Sequence, residues 1–380
     1  MNLKPAFSRF LGSDPERLHF AAHSHHPWPD VSFEAHQRAW IDASEMMDHK
    51  WDHVFGQVMP RTRGRIASVL GLESGDTLTF APNTHELVVR LFSCFDPPVR
   101  VLSTDSEFHS FTRQSRRWEE EGLAIVDRVT AQPFETFADR FTAEARSGAH
   151  DLIYLSQVFF DSSFVVPELD RIVSSVSEER AFVVVDGYHA FMALPVDLGA
   201  IQDRAFYLAG GYKYAMAGEG VCFLHCPAGH GPRPVDTGWY AGFGQLETGV
   251  SQRVPYAEDG SRFSGATFDP SGVYRLDAVL AWLESEGVAA KSIHDHVVAL
   301  QERFLEQMPL PGELVPPIDH GRGNFLTFET DRAPELYAQL HQRKVITDYR
   351  GNRLRLGFGI YHDEADVDRL SQLLTDISNP

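Results

Sequence analysis

Three short apolar runs, separated by turn residues and packed into residues 181–226, constrain this chain more than any other stretch. Residues 181–185 (AFVVV) form a continuous apolar run, the pattern of a parallel strand buried on both faces. The run stops at Asp186, a carboxylate at the carboxyl end of a strand, where open α/β sheets receive ligands. A second run, 205–209, meets Gly210-Gly211 and then Tyr212-Lys213-Tyr214, and a third, 221–224, follows another glycine pair. A lysine held between two buried strands by glycines and aromatics is placed where desolvation lowers its pKa and frees its amine as a nucleophile.

Taken singly, a lysine after a strand is more often a solvated loop residue, and an aspartate there is more often a helix cap. The pair is more specific. Asp and Lys at neighbouring strand ends suit pyridoxal phosphate (PLP), the lysine forming a Schiff base and the acid keeping the pyridinium nitrogen protonated. Asp186-Gly187-Tyr188-His189 and Tyr212-Lys213 resemble the D-x-x-[HQ] strand end and [HY]-K lysine of the class V aminotransferase group, which includes cysteine desulfurases and kynureninases. Tyr-Lys-Tyr followed by Ala217-Gly218 and Gly220 is most similar to the kynureninase branch. The resemblance implies the PLP-dependent transferase fold type I: α/β, with a mostly parallel central sheet, helices on both faces, and a small C-terminal α+β domain. It implies Lys213, Asp186 and His189 as catalytic residues.

The resemblance extends over nearly the whole chain. At the turn 82–86, Asn83, Thr84 and His85 match the loop that holds the PLP phosphate. A strand-to-helix turn with free amides suits an anion, although an ordinary N-cap is the commoner reason for such residues. Phe108, after Glu107, matches the aromatic that stacks on the pyridine ring, with His109 as the fallback. Gln157 stands where the family places a residue near the phenolic oxygen. Gly238-Trp239-Tyr240 is similar to the G-W-W of kynureninases. Thr267, in Arg262-Phe263-Ser264-Gly265-Ala266-Thr267, matches a threonine that crosses to the partner's phosphate, so a homodimer with shared sites is implied. Arg355 matches the arginine that clamps a substrate α-carboxylate, and Arg350 a second arginine. In the loop after the first short strand, Ser24 matches the serine of a G-N-S-L-G pattern, with His25 beside it as a further substrate-binding candidate. His23 and His25 themselves depart from the residues that flank that serine in the pattern.

Alternating strand and helix patterns over 77–224 predict a parallel sheet with crossover helices. Residues 20–275 are expected to form a large PLP-binding domain and 276–380 a small C-terminal domain, with 1–19 packing nearby. Helices are expected over 33–70 (two), 169–179, 271–286, 289–308, 333–343 and 364–377, and single strands over 345–349 and 353–358.

The 34 Lys and Arg against 53 Asp and Glu give a net charge of −19, which argues against a nucleic-acid partner. No apolar run approaches the roughly 20 residues of a membrane span. Three cysteines form no disulfide framework, and the first twenty residues carry no signal-peptide core, so a cytoplasmic location is expected.

Three activities follow. The first is hydrolysis of a Cβ–Cγ bond in an α-amino acid, as in kynureninases. The second is amino-group transfer on the same scaffold. The third, from another class, is metal-dependent hydrolysis at His23, His25 and His26; no H-E-x-x-H or other ligand spacing accompanies them, and no metal is expected. Desulfurase chemistry needs a nucleophilic cysteine in the C-terminal part, and this chain has none after Cys226.

Overall fold

The computed structural model describes residues 2–245, 253–307 and 312–378. Its centre is a seven-stranded sheet in the order Leu78–Ala81, Cys222–His225, Ala205–Gly210, Phe182–Asp186, Leu152–Ser156, Val99–Thr104, Ala124–Val129. Only Cys222–His225 runs against its neighbours; the other pairings are parallel. The four strands from Leu152–Ser156 to Cys222–His225 are buried at every position. Their unbroken apolar runs have a direct cause. Side chains alternate between faces, so Val183, Val185, Tyr207 and Ala209 enter one core while Phe182, Val184, Phe206 and Leu208 enter the other.

The antiparallel strand shapes the loop that carries Lys213. Without a crossover helix, the chain leaves Gly210, turns, and returns directly: Gly211 N donates to Val221 O at 2.9 Å, and Ala217 N to Gly211 O at 2.8 Å. Gly210 has no room for a side chain, since a Cβ there would lie 2.5 Å from Cys222 Sγ and 2.6 Å from the Tyr188 hydroxyl.

A second, four-stranded antiparallel sheet has the order Asp348–Arg350, Arg353–Gly357, Phe325–Glu329, Glu313–Leu314. Its core joins Leu326, Phe328, Leu354 and Leu356 to Leu18 and Phe20 from the N-terminal segment. The helix Ser271–Ser285 instead buries Leu276, Val279, Leu280 and Leu283 in the larger core.

Two expectations are corrected. The strand expected over 345–349 is two: Val345–Ile346 pairs in parallel with Leu18–His19, while Asp348–Arg350 joins the C-terminal sheet. The helix expected over 169–179 is only Leu169–Ser174. The next residue, Ser175, turns its hydroxyl back onto Ile172 O at 2.7 Å, the local bonding by which serines end helices.

Candidate active site

The carboxyl ends of the central strands open into a cavity of ≈ 630 Å³. Asp186, Tyr188, His189 and Lys213 line one end of it. Asp186 is fixed from two sides: the Tyr154 hydroxyl donates to Oδ2 at 2.7 Å and the Tyr188 amide to Oδ1 at 2.9 Å. Burial lifts its carboxyl above its ordinary value, against the pull of those two bonds and of Lys213. Lys213 lies 5.0 Å from the Phe108 ring centroid and 5.4 Å from that of Tyr188, and its Nζ meets His189 Nε2 at 2.5 Å. Burial pushes the Lys213 amine down to about 7, with Asp186 opposing and Arg355 assisting. The same burial, with Lys213 alongside, holds His189 well below the usual histidine range, so the imidazole stays neutral.

Asn83, Thr84 and His85 line the cavity at the start of the helix Thr84–Phe92. Asn83 Oδ1 accepts from Glu86 N at 3.0 Å and caps that helix. Its positive end therefore lies at the cavity. Phe108, 41% exposed, forms part of the wall, edge-on to Phe160 at 5.6 Å. His109 is not among the lining residues, whereas Ser110 is.

The opposite end comes from the two chain termini. Ser24 and His23, from the N-terminal loop, line the cavity with Arg350 and Arg355 of the C-terminal sheet. Arg355 is buried and engaged: it donates to Asp348 Oδ2 and to Phe160 O, while its Nε has no partner. Arg350 donates to Asp348 Oδ1 at 2.7 Å. With both guanidiniums and His23 against it, Asp348 stays below the usual carboxylate range despite its burial.

Other expected residues fall outside this cavity. Gln157 accepts from the Tyr207 hydroxyl at 3.2 Å, and it is Ser156, in register with Asp186, that lines the wall. His25 sits edge-on to Tyr212 at 5.4 Å and lines a neighbouring cavity that shares Ser24 and Arg350. Tyr212 itself lines the main cavity beside Lys213. Trp239 donates to Thr267 Oγ1 at 2.9 Å, and both are exposed and not among the lining residues. The three loop histidines diverge. His23 stacks on Phe325, His25 faces Tyr212, and His26 donates from Nδ1 to Pro27 O while lying edge-on to Tyr361. Among the described residues, no group of three or more His, Cys, Asp or Glu could hold a metal ion.

The sequence reading missed Tyr154, Glu107 and Asp348 as working members. Tyr154 was legible in principle: it lies two residues before Ser156, hence on the same face, and Ser156 pairs with Asp186. Glu107 takes Thr104 Oγ1 at 2.8 Å and Ser156 Oγ at 2.5 Å, and burial pushes its carboxyl up to about 8.

These residues fit PLP. An amine with a depressed pKa, a fixed carboxylate on a strand end, an aromatic wall and a helix N-terminus surround one cavity of adequate size. The Aminotransferase class-V family profile matches residues 37–370. Among solved structures, the chain is similar to the cystine C–S lyase C-DES in complex with its product cysteine persulfide (18% identity, 95% of this chain and 97% of that one, TM-score 0.81). It is also similar to the apo cysteine desulfurase of Thermococcus onnurineus NA1 (16%, 100% and 99%, TM-score 0.82) and to the cysteine desulfurase CsdA of Escherichia coli (16%, 98% and 98%, TM-score 0.78). At these identities the likeness is one of fold. A search of curated proteins returns no match. Since the family profile spans most of the sequence and the cavity gathers the groups PLP needs, the chain belongs to the class V aminotransferase family, PLP-dependent enzymes of fold type I.

Proposed function

We propose that the protein takes an α-amino acid and cleaves its side chain by hydrolysis at the Cβ–Cγ bond, in the manner of kynureninases. PLP, when bound, supplies an electron sink for the bond electrons released at Cα. Lys213 would anchor it and then move a proton at Cα. A lysine pushed down to about 7 exchanges protons readily near neutrality. Asp186, held by Tyr154 and the Tyr188 amide, would keep a positive ring nitrogen opposite it. Asn83, Thr84 and His85 would hold the phosphate, Phe108 the ring face, and Arg355 with Arg350 the substrate carboxylate. Ser24 would face the substrate, and His25 would support it from behind Tyr212.

The observation that carries this reading against the desulfurase activity named for two of the neighbours is the cysteine chemistry. Cys222 is the cysteine that lines the cavity, and burial pushes its thiol up to about 12, so no thiolate nucleophile forms there. Cys94 and Cys226 are not lining residues, and both thiols are raised by burial as well. Hydrolysis at Cγ asks for no cysteine; it asks for a polar far wall, which Ser24, His23 and Arg350 provide. The exposed Trp239–Thr267 pair supports a homodimer in which that face meets a second copy.

The test is an assay of purified holoenzyme with L-kynurenine, with cystine, and with an amino acid plus a keto acid. Anthranilate and alanine from kynurenine are expected. Cysteine persulfide, pyruvate and ammonia from cystine would replace this reading with C–S cleavage, and a keto product with its carbon skeleton intact would replace it with amino-group transfer.

A further inference from the structure

Tyr188 lines the active cavity at the cofactor end and is only partly buried. Its hydroxyl occupies a place that the backbone clears for it. A Cβ on Gly210 would lie 2.6 Å from that oxygen and 2.8 Å from the ring carbon bearing it, so any larger residue at 210 would push the hydroxyl away. The oxygen accepts from Cys222 Sγ at 3.6 Å and is also approached by the Tyr212 backbone amide. Cys222 Sγ in turn lies against the backbone amide of Thr84, the first residue of the helix whose N-terminus meets the cavity. One sulfur atom thus separates the hydroxyl from that helix end, and Cys222, Thr84 and Tyr212 all line the cavity.

Both groups keep their hydrogens. Burial raises the Cys222 thiol to about 12 and holds the Tyr188 hydroxyl well above the usual tyrosine range. The oxygen receives from its protein neighbours, while no described residue accepts its own hydrogen. A hydroxyl held in this way has one donor left to give, and the acceptor comes from the cavity. Its position decides among the groups that bound PLP would offer. The ring nitrogen is opposite Asp186, and the aldehyde carbon is at Lys213. The substrate carboxylate belongs at the far end, with Arg355. What remains beside Thr84 is the phosphate. That anion depends on neutral donors here. The lysine and arginines that line the cavity are Lys213, Arg350 and Arg355, and both arginines stand at the other end, joined to Asp348.

We propose that the Tyr188 hydroxyl donates a hydrogen bond to the phosphate of PLP, beside the N-terminus of the helix Thr84–Phe92, and that position 210 is glycine to leave it room. This rests on the phosphate placement proposed above and deepens it; it holds whichever side-chain chemistry the enzyme performs. Tyr188 anchors the cofactor and takes no part in proton transfer.

The experiment strips the full-length protein of its cofactor and titrates it, by absorbance and tryptophan fluorescence, with PLP and with pyridoxal, which lacks the phosphate. The wild type is expected to prefer PLP. Tyr188→Phe keeps the ring and removes only the hydroxyl. It should weaken PLP about tenfold to a hundredfold, the loss that goes with a hydrogen bond to a charged group, and leave the affinity for pyridoxal unchanged. In the PLP-loaded proteins, the ³¹P resonance should differ between wild type and Tyr188→Phe, because the phosphate has lost a donor. Cys222→Ala, which removes the thiol that holds the hydroxyl in place, should show a smaller loss of the same selective kind, and it decides the matter if the Phe variant does not fold. Equal weakening of PLP and pyridoxal would mean that Tyr188 acts on the ring and overturns the proposal. So does a variant that keeps both the wild-type preference and the wild-type ³¹P resonance. Either result leaves the phosphate at Thr84. A wild type that binds pyridoxal as tightly as PLP overturns that placement itself, and Tyr188's role with it.

Discussion

The two ends of the cavity are built by opposite means. At the cofactor end, residues from neighbouring parallel strands meet within one sheet, and their polar groups are already paired: Asp186 with Tyr154 and the Tyr188 amide, Glu107 with Thr104 and Ser156. At the substrate end, a loop near residue 23 meets strands near residue 350, and the polar groups are unpaired or shared. His23 Nε2 approaches Asp348 only to 3.7 Å, Arg355 Nε has no partner, and Asp348 takes both arginines. A pre-paired network holds a fixed group in one geometry at no cost on binding. An under-paired one stores its bonding capacity for a ligand that comes and goes. The contrast teaches which end is scaffold and which end chooses.

The sharpest way to break the comparison is through Lys213, the buried amine of the paired end. Its ammonium form is disfavoured by burial, so its titration is expected near 7 rather than at the ordinary lysine value. Only the free amine attacks the PLP aldehyde. The rate of PLP uptake by apoenzyme should therefore rise about tenfold per pH unit below 7 and level off above 8. Stopped-flow absorbance across pH 5.5–10 reads this directly. A rate still climbing between pH 8.5 and 10 would mean the amine is solvated, and the paired end is then not the dry pocket described here.

A smaller effect is expected at the substrate end. Arg355→Lys keeps the charge and loses the planar fork that bonds Asp348 and Phe160 O together. The value of kcat/KM should fall by about tenfold to a hundredfold, chiefly through KM, while PLP affinity stays unchanged. Loss of PLP binding in this variant would show that the two ends are not separable.

The same contrast explains what the sequence disclosed. The cofactor end was readable because its residues follow continuous strand runs: Asp186 closes one run, Lys213 lies in the hairpin after another, and Asn83 caps a helix directly after a third. The seven-stranded sheet came with it. What was not readable depends on packing between distant segments. Nothing local distinguishes His23 from His25 and His26, yet only His23 stacks on Phe325 and reaches the cavity. Arg355 was legible as a candidate, but its engagement with Asp348 appears only once Arg353–Gly357 pairs with Asp348–Arg350. The misplaced strand over 345–349 has the same origin. Its two halves differ in sheet partner, not in composition, and the division falls at Thr347. Gln157 was off by one position because a strand's parity decides which residue faces the site, and parity followed from the Ser156–Asp186 register.

The smallest expected effect is also the most discriminating test of pre-pairing. Glu107 is fully enclosed, and burial raises its carboxyl to about 8 against the pull of its hydrogen bonds to Ser156 and Thr104. Below that pH it is a neutral acid, so an amide of the same shape can replace it without removing a charge. Glu107→Gln should lower stability by less than about 1 kcal/mol. Glu107→Ala leaves the buried Ser156 and Thr104 hydroxyls without their acceptor and should cost about 1–3 kcal/mol. Urea denaturation at pH 7 measures both. The pH dependence separates them further. A carboxyl whose folded pKa lies above its unfolded value binds the extra proton in the folded state between the two, so stability falls as pH rises from about 4.5 toward 8. The Gln variant has no such group and should lose that slope, ending more stable relative to wild type at pH 8 than at pH 5. If Glu107→Gln is as damaging as Glu107→Ala at every pH, the carboxyl is ionised in the fold. The cofactor end then carries an unpaired buried charge, and the contrast between its two ends fails.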